Sequence, residues 1–135
     1  MLNNRSMPVS GVIPVLAYPD VLAAAQWLCA AFGFKERLLI GTHRAQLIAG
    51  SGDIVVAGGA VVKGSQSIMI RVDDARAHCA RAKAQGAMIL SEPVDYPYGE
   101  RQYSAQDLAG YVWTFSQSIA DVDPAEWGGV LKESS

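Results

Sequence analysis

The sequence is poor in the residues that hold metals and disulfides. It has two cysteines, Cys29 and Cys79, and two histidines, His43 and His78. Cysteines 50 residues apart and outside any C-x-x-C pair make no disulfide framework. Both are expected as reduced thiols on helices of a cytoplasmic protein. A metal site needs three or four converging ligands. His78 and Cys79 are adjacent on a predicted helix, so their side chains diverge by about 100°, and His43 lies in another part of the chain. No metal and no cofactor are expected. Long apolar runs are also missing, which argues against a membrane span. The opening MLNNRSMPVSG has no apolar core of the kind a secretory signal needs. Charge of one sign is missing too: 11 basic residues stand against 13 acidic ones, for a net charge of −2. Without a Lys/Arg run, a general nucleic-acid binder is excluded. No G-x-S-x-G elbow or other nucleophile signature occurs, so no catalytic residue is assigned. The stretch GGAVVKGS has a superficial likeness to a phosphate loop, but it lacks the lysine after the second glycine and a following helix, so it reads as a connector.

What is present suits one folded domain. The 135 residues are 50% hydrophobic. A chain of this length buries roughly two-thirds of its unfolded surface, and its composition is not that of a disordered segment. Residues 11–17 read as a strand, with Pro14 marking an edge or bulge. Asp20 then caps a helix over Val21 to Phe32, whose apolar stripe is Val21, Ala24, Ala25, Leu28 and Phe32, and Gly33 ends it. Strands follow over 34–40, 43–49 and 54–57. After the connector come a strand over 66–72 and a helix opened by Asp73-Asp74 and ended by Gly86, with the stripe Ala75, Cys79 and Ala82. Strands over 87–90, 101–105 and 111–116 complete the pattern, with SEPVDYPYGE as a loop and residues 121–135 as an irregular tail.

The order strand–helix–strand–strand–strand therefore occurs twice. Asp20 and Gly33 recur as Asp73 and Gly86, a repeat of about 53 residues. That period is too long, and the copies too few, for a solenoid. The expected architecture is α+β: two βαβββ modules, about 9–58 and 66–118, joined by a connector at 58–65 and followed by a tail at 119–135. Their curved sheets are expected to enclose a cleft.

This arrangement resembles the vicinal-oxygen-chelate superfamily of glyoxalases, bleomycin-resistance proteins and extradiol dioxygenases. The residues that carry the resemblance are Val15 to Asp20, Phe32-Gly33-Phe34, Met69 to Asp74, and the final hairpin YGERQYSAQDLAGYVWTF, where Leu108 stands in place of the usual proline. The resemblance implies four metal ligands on inner strand faces, from which a divalent ion would polarise two substrate oxygens. The matching positions here are Ile13, Val55 or a neighbour, Ser67 and Thr114, none of them a good ligand. It also implies a homodimer, domain-swapped or not. The function expected is therefore metal-free binding of a small molecule in the cleft, as in sequestration or resistance proteins. The alternative is a lyase, isomerase or dioxygenase with a displaced metal site.

The resemblance puts Thr114 on the inner face. Strand alternation then adds Val112 and Ser116, and sends Trp113 and Phe115 to the core. On the preceding strand, either Arg101 and Tyr103 or Gln102 and Ser104 face inward. The first pair is preferred, because it sets an aromatic platform beside a cation for an anionic or aromatic ligand. Tyr96 and Tyr98 stand near the cleft mouth, Trp127 can pack over the cleft or on a partner, and Gln46 is a polar residue among apolar neighbours. The candidate ligand contacts are Gln46, Ser67, Tyr98, Arg101, Tyr103 and Thr114.

Overall fold

The computed structural model describes residues 2–64 and 67–132. The first module runs β1 (Val15–Tyr18), α1 (Val21–Phe32), β2 (Lys35–Ile40), β3 (Arg44–Ala49) and β4 (Gly52–Gly58). The second runs β5 (Ser67–Arg71), α2 (Ala75–Ala84), β6 (Met88–Tyr96), β7 (Glu100–Gln106) and β8 (Val112–Ser118), and a 3-10 turn covers Pro124–Trp127. Each module forms its own four-stranded sheet, ordered β1-β4-β3-β2 and β5-β8-β7-β6. In each, the first strand lies parallel to the last and the other pairs are antiparallel.

The helices form where their end signals lie. The Asp20 carboxylate accepts from the Ala23 N–H at 3.1 Å, and Asp74 does the same for Ala77 at 3.0 Å. Each cap supplies an acceptor that the first turn lacks, worth about 1 kcal/mol. The second cap is thus Asp74, one residue beyond the position that the repeat aligns with Asp20. Gly33 closes α1 in the left-handed conformation, φ +75°, with its N–H on the Cys29 carbonyl at 3.1 Å. Every residue of the predicted α1 stripe is buried.

Two strands differ from expectation in length. β1 begins only at Val15, because Pro14 has no N–H to give; its carbonyl still accepts from Val55 at 2.9 Å. β6 extends through much of the expected loop, to Tyr96. As an edge strand it tolerates Pro93, and its register with β7 shifts between Ser91 and Val94. Gln66, the expected start of β5, lies outside the described residues. Cys29 and Cys79 are free thiols on the two helices, as expected.

A single core joins the modules. The two helices lie against each other. Phe32 at the end of α1 meets Trp113 at 5.7 Å and Phe115 at 4.8 Å between ring centroids, and Phe34 meets Trp113 at 5.5 Å. Trp113 and Phe115 are fully buried, as their strand parity predicts. The polar centre of this core is Asp107. One carboxylate oxygen accepts from the Tyr18 hydroxyl at 2.5 Å and from the Trp113 indole N–H at 3.1 Å. The other takes the backbone N–H groups of Ala109 and Tyr111 at 2.9 and 3.0 Å. Tyr18 belongs to the first module and Trp113 to the second, so one carboxylate ties both together. Burial, reinforced by the neighbouring Asp107 charge, keeps the Tyr18 phenol protonated far above its usual range.

His78 sits on the same seam. One ring nitrogen meets the Phe32 carbonyl at 2.8 Å and the other meets the Tyr103 hydroxyl. Burial pushes its pKa below the usual histidine value, outweighing the hydrogen bond to Phe32. Because the folded state resists the proton and the unfolded chain accepts it, stability is lost as pH falls through the ordinary histidine range.

Two measurements check this core. Asp107→Ala strands the Tyr18 hydroxyl and the Trp113 N–H without an acceptor, so urea unfolding should show a loss of about 3 kcal/mol or more; a loss under about 1 kcal/mol would deny Asp107 its role. For His78, the unfolding free energy should decline between about pH 7 and about pH 5. His78→Phe should flatten that decline, and an unchanged slope would place the titration elsewhere.

Candidate functional site

With the helix-facing sides of both sheets committed to one core, each sheet keeps one open face, and within one chain the two open faces look outward. The open face of the second sheet follows from β8. Trp113 and Phe115 point to the helices, so Val112, Thr114 and Ser116 point away. Register then fixes its neighbours: Thr114 lies opposite Ser104 and Met69, and Ser116 opposite Gln102 and Arg71.

The preferred parity of β7 is therefore reversed. Gln102 and Ser104 share the open face with Thr114, while Arg101 and Tyr103 lie on the helix side. Tyr103 is 1% exposed, stacks on Phe115 at 5.2 Å and bonds to His78. Burial pushes its phenol pKa upward. Arg101 is held by a two-point bond to Asp95, at 2.6 and 3.1 Å. The physical reason is the antiparallel hairpin itself, since opposed residues must share a face. Fixing Thr114 inward fixes Ser104 inward, so the signal was present in the turn Asp107–Gly110 and the pairing it imposes.

The open face carries two hydrogen-bonded polar groups side by side. Ser104 and Thr114 hydroxyls meet at 2.8 Å. The Gln102 amide donates to the Ser116 hydroxyl at 3.0 Å, and Ser116 donates to Glu100 at 2.7 Å. Glu100 also binds Ser118 and pairs with Arg71 at 3.2 Å. Partial burial pushes the Glu100 pKa up, but the Ser118 and Ser116 hydroxyls and the Arg71 charge outweigh it and hold the carboxyl below its ordinary value. Beside this array stands an aromatic ladder. Tyr96 and Tyr98 stack at 5.4 Å with planes 11° apart, and Trp127 of the tail meets Tyr98 at 5.4 Å. The Tyr98 hydroxyl donates to Gln102 at 3.2 Å, which joins ladder to array. Trp127 and Tyr96 stay 46% and 37% exposed, so ring surface remains for a ligand.

Gly99 makes this placement possible. It turns at φ +83°, and its carbonyl takes the Ile119 N–H at 2.8 Å. A Cβ there would stand 2.3 Å from the Ala120 carbonyl oxygen, so only glycine lets the tail return beside Tyr98.

Of the six predicted residues, Ser67, Thr114 and Tyr98 lie on or beside this face. Ser67 is at its edge, exposed and opposite Val112. Gln46 is on the open face of the first sheet, opposite Val55, yet it is 3% exposed because the chain's first residues cover it. Its amide donates to the Ser6 carbonyl at 2.9 Å and accepts from Arg37 at 2.5 Å. Arg37 in turn donates to the carbonyls of Arg5 and Met7, both at 3.0 Å, and Ser10 donates to Asp53 at 2.6 Å. Gln46 is thus spent on holding residues 5–10. Glu100 is not among the six predicted residues. Its place in the array depends on the Arg71 and Ser118 neighbours that the sheet order brings.

The positions that correspond to the implied metal ligands do not fit a divalent ion. Val55 and Thr114 lie on open faces of different sheets and offer a methyl and a hydroxyl. Among the described residues, no three His, Cys, Asp or Glu side chains converge.

A model of the Glyoxalase/Bleomycin resistance protein/Dioxygenase superfamily matches residues 12–115. Among solved structures, TioX from Micromonospora sp. ML1 is 32% identical, with a TM-score of 0.70 over 84% of this chain and 100% of that one. A glyoxalase/bleomycin resistance protein/dioxygenase family enzyme from Burkholderia phytofirmans PsJN is 16% identical, with a TM-score of 0.69 over 79% of this chain and 97% of that one. Lactoylglutathione lyase from Agrobacterium tumefaciens is 17% identical, with a TM-score of 0.65 over 90% of this chain and 98% of that one. The last two share the fold alone. No curated protein matches the chain. The twice-repeated module and the match over residues 12–115 agree, and the chain belongs to the glyoxalase/bleomycin resistance protein/dioxygenase superfamily.

Proposed function

We propose that this protein binds and sequesters a small aromatic molecule on the open face of the second sheet, without a metal, in a cleft completed by a second copy of the chain. The observation that carries the reading is the aromatic ladder Tyr96–Tyr98–Trp127 set beside a hydroxyl- and amide-lined sheet. Stacked rings supply area and the array supplies orientation, the usual division in a small-molecule site. Acid–base chemistry has little support there. Glu100 is held ionised by Ser116, Ser118 and Arg71, and His78 is turned away into the core.

The homodimer has a physical reason. A ligand lying on one open sheet would keep much of its surface in water, whereas binding sites bury most of it. Both open faces also leave apolar side chains exposed: Val15 at 50% and Ile48 at 38% on the first sheet, Met69 at 60% on the second. Setting the first sheet of one copy against the second sheet of another covers them and makes two equivalent clefts, as twofold symmetry requires. Residues 5–10 would then line each cleft from the first-sheet side.

Sedimentation at micromolar concentration should give a dimer, and a monomer throughout that range would remove the shared cleft. For the ligand, a panel of planar aromatic probes (proflavine, 1-anilinonaphthalene-8-sulfonate and neutral analogues) should include one that raises the melting temperature and quenches tryptophan emission. Tyr98→Ala and Trp127→Ala should each weaken that probe about tenfold or more, as loss of a stacking ring implies. Affinity that survives both substitutions would move the site off the ladder.

A further inference from the structure

A second concavity lies off the open faces, where the end of α1, the β3–β4 turn, the end of β5 and α2 meet. Its volume is about 540 Å³, which is within the range of small-molecule sites. One part of its wall is aromatic: Phe32, Phe34 and His78. His78 lies nearly parallel to Phe32, 21° between planes and 6.2 Å between centroids. Both its nitrogens are engaged, so it is not a free base. Phe32 and Phe34 are only 2% and 5% exposed, and the half-buried Ile70 and Val72 add apolar surface to the wall.

The charged part of the wall is mostly cationic. Arg81 donates through Nε to the Ala30 carbonyl at 2.8 Å and through Nη2 to the Cys29 carbonyl at 3.2 Å. These bonds fix the guanidinium across the end of α1. Its Nη1 has no partner among the described residues and stands beside Gly33, where a Cβ would approach it to 3.1 Å. Arg71 enters from β5. Its Nη1 is bound to Glu100 and Ser118, while Nε and Nη2 have no partner among the described residues. Among the described residues, Asp73 is the one carboxylate in the wall against these two guanidinium groups, and Glu100 meets Arg71 from the open face. The unspent polar capacity of both arginines is donors only, and the preorganisation of Arg81 lowers the ordering cost of using it.

We propose that this cavity between the modules is a second ligand site, for a small planar carboxylate: the ring lies against the half-buried Ile70, Val72 and His78, and the carboxylate is bound by Arg71 and Arg81. The aromatic ladder contributes nothing to this wall, and Arg71 is the one residue the cavity shares with the open-face array.

The test is titration of isotope-labelled protein with sodium benzoate, followed by two-dimensional NMR. Benzamide, a neutral isostere, and inorganic phosphate, an anion without a ring, are run beside it. Benzoate should shift Gly33, Ser51, Ile70 and Val72 with a dissociation constant in the order of millimolar, as suits so small a ligand. Benzamide and phosphate should each bind at least tenfold more weakly, and added salt should weaken benzoate. Arg71→Gln should cost about tenfold. Because Arg71 also touches Glu100, a second variant is needed: Ser51→Trp, in the exposed β3–β4 turn, should block the cavity and leave Thr114 and Tyr98 resonances in place. The proposal is overturned if benzoate shifts Tyr96, Tyr98 and Thr114 instead, if benzamide or phosphate matches it, or if it leaves the cavity residues unmoved at about 50 mM, well above that constant.

Discussion

The rest of the molecule depends on one buried carboxylate and the core it organises. Asp107 accepts the hydroxyl of Tyr18 from one module and the indole N–H of Trp113 from the other. Without an acceptor, two of the largest buried side chains would each carry an unsatisfied donor, a cost of about 1–3 kcal/mol apiece. With it, the helix-covered side of each sheet can be pressed against the other. Phe32 then fills the space between, touching Phe34, His78, Trp113 and Phe115. Stability and module placement are decided by the same contacts.

That choice has a consequence for function. A sheet has two sides, and a chain of 135 residues has few elements with which to cover them. Both helices are spent between the sheets, so the other two sides stay open or need a further cover. On the first sheet, the opening segment serves as partial cover, held by Arg37 and Gln46. On the second, the tail brings Trp127 to the rim, and polar side chains satisfy one another across the strands. A hydroxyl and amide surface of this kind tolerates water and also accepts a polar ligand edge. In the proposed dimer, a second copy of the chain roofs it.

Much of this was legible in the sequence, and the limits of that legibility are physical. Helix α1 was readable to the residue because its cap, stripe and stop are local signals: Asp20, the buried stripe and Gly33. The repeat was readable because both modules reuse those signals. β6 was read short because Ser91 to Tyr96 has turn-like composition, and only pairing with β7 holds it extended. The resemblance set Thr114 on the face opposite the buried Trp113 and Phe115, and alternation carried Val112 and Ser116 with it, but Arg101 and Tyr103 lie on the helix side against expectation. Alternation gives two faces per strand, and choosing between them needs the cross-strand register. Gln46 stood out as a polar residue among apolar neighbours and a candidate ligand contact, but in the fold it is bonded within the chain. Its partners, Ser6 and Arg37, lie 40 and 9 residues away, and no local rule connects them.

Net charge shows the same limit more sharply. The value of −2 argues against a strongly charged ligand only if charge is spread evenly. In the folded chain it is sorted by pairing. Asp95 is matched to Arg101, Glu92 to Lys83, and Glu100 to Arg71. Donor capacity stays open on Arg71 and Arg81 at the cavity between the modules, while Glu100 is engaged on the open face. Arg71 belongs to both, giving one nitrogen to Glu100 and lining the cavity with the rest. A nearly neutral protein can therefore present surfaces of different charge, because selectivity for a small ion depends on the few groups within a Debye length of it, roughly 8–10 Å, and not on the sum over the chain.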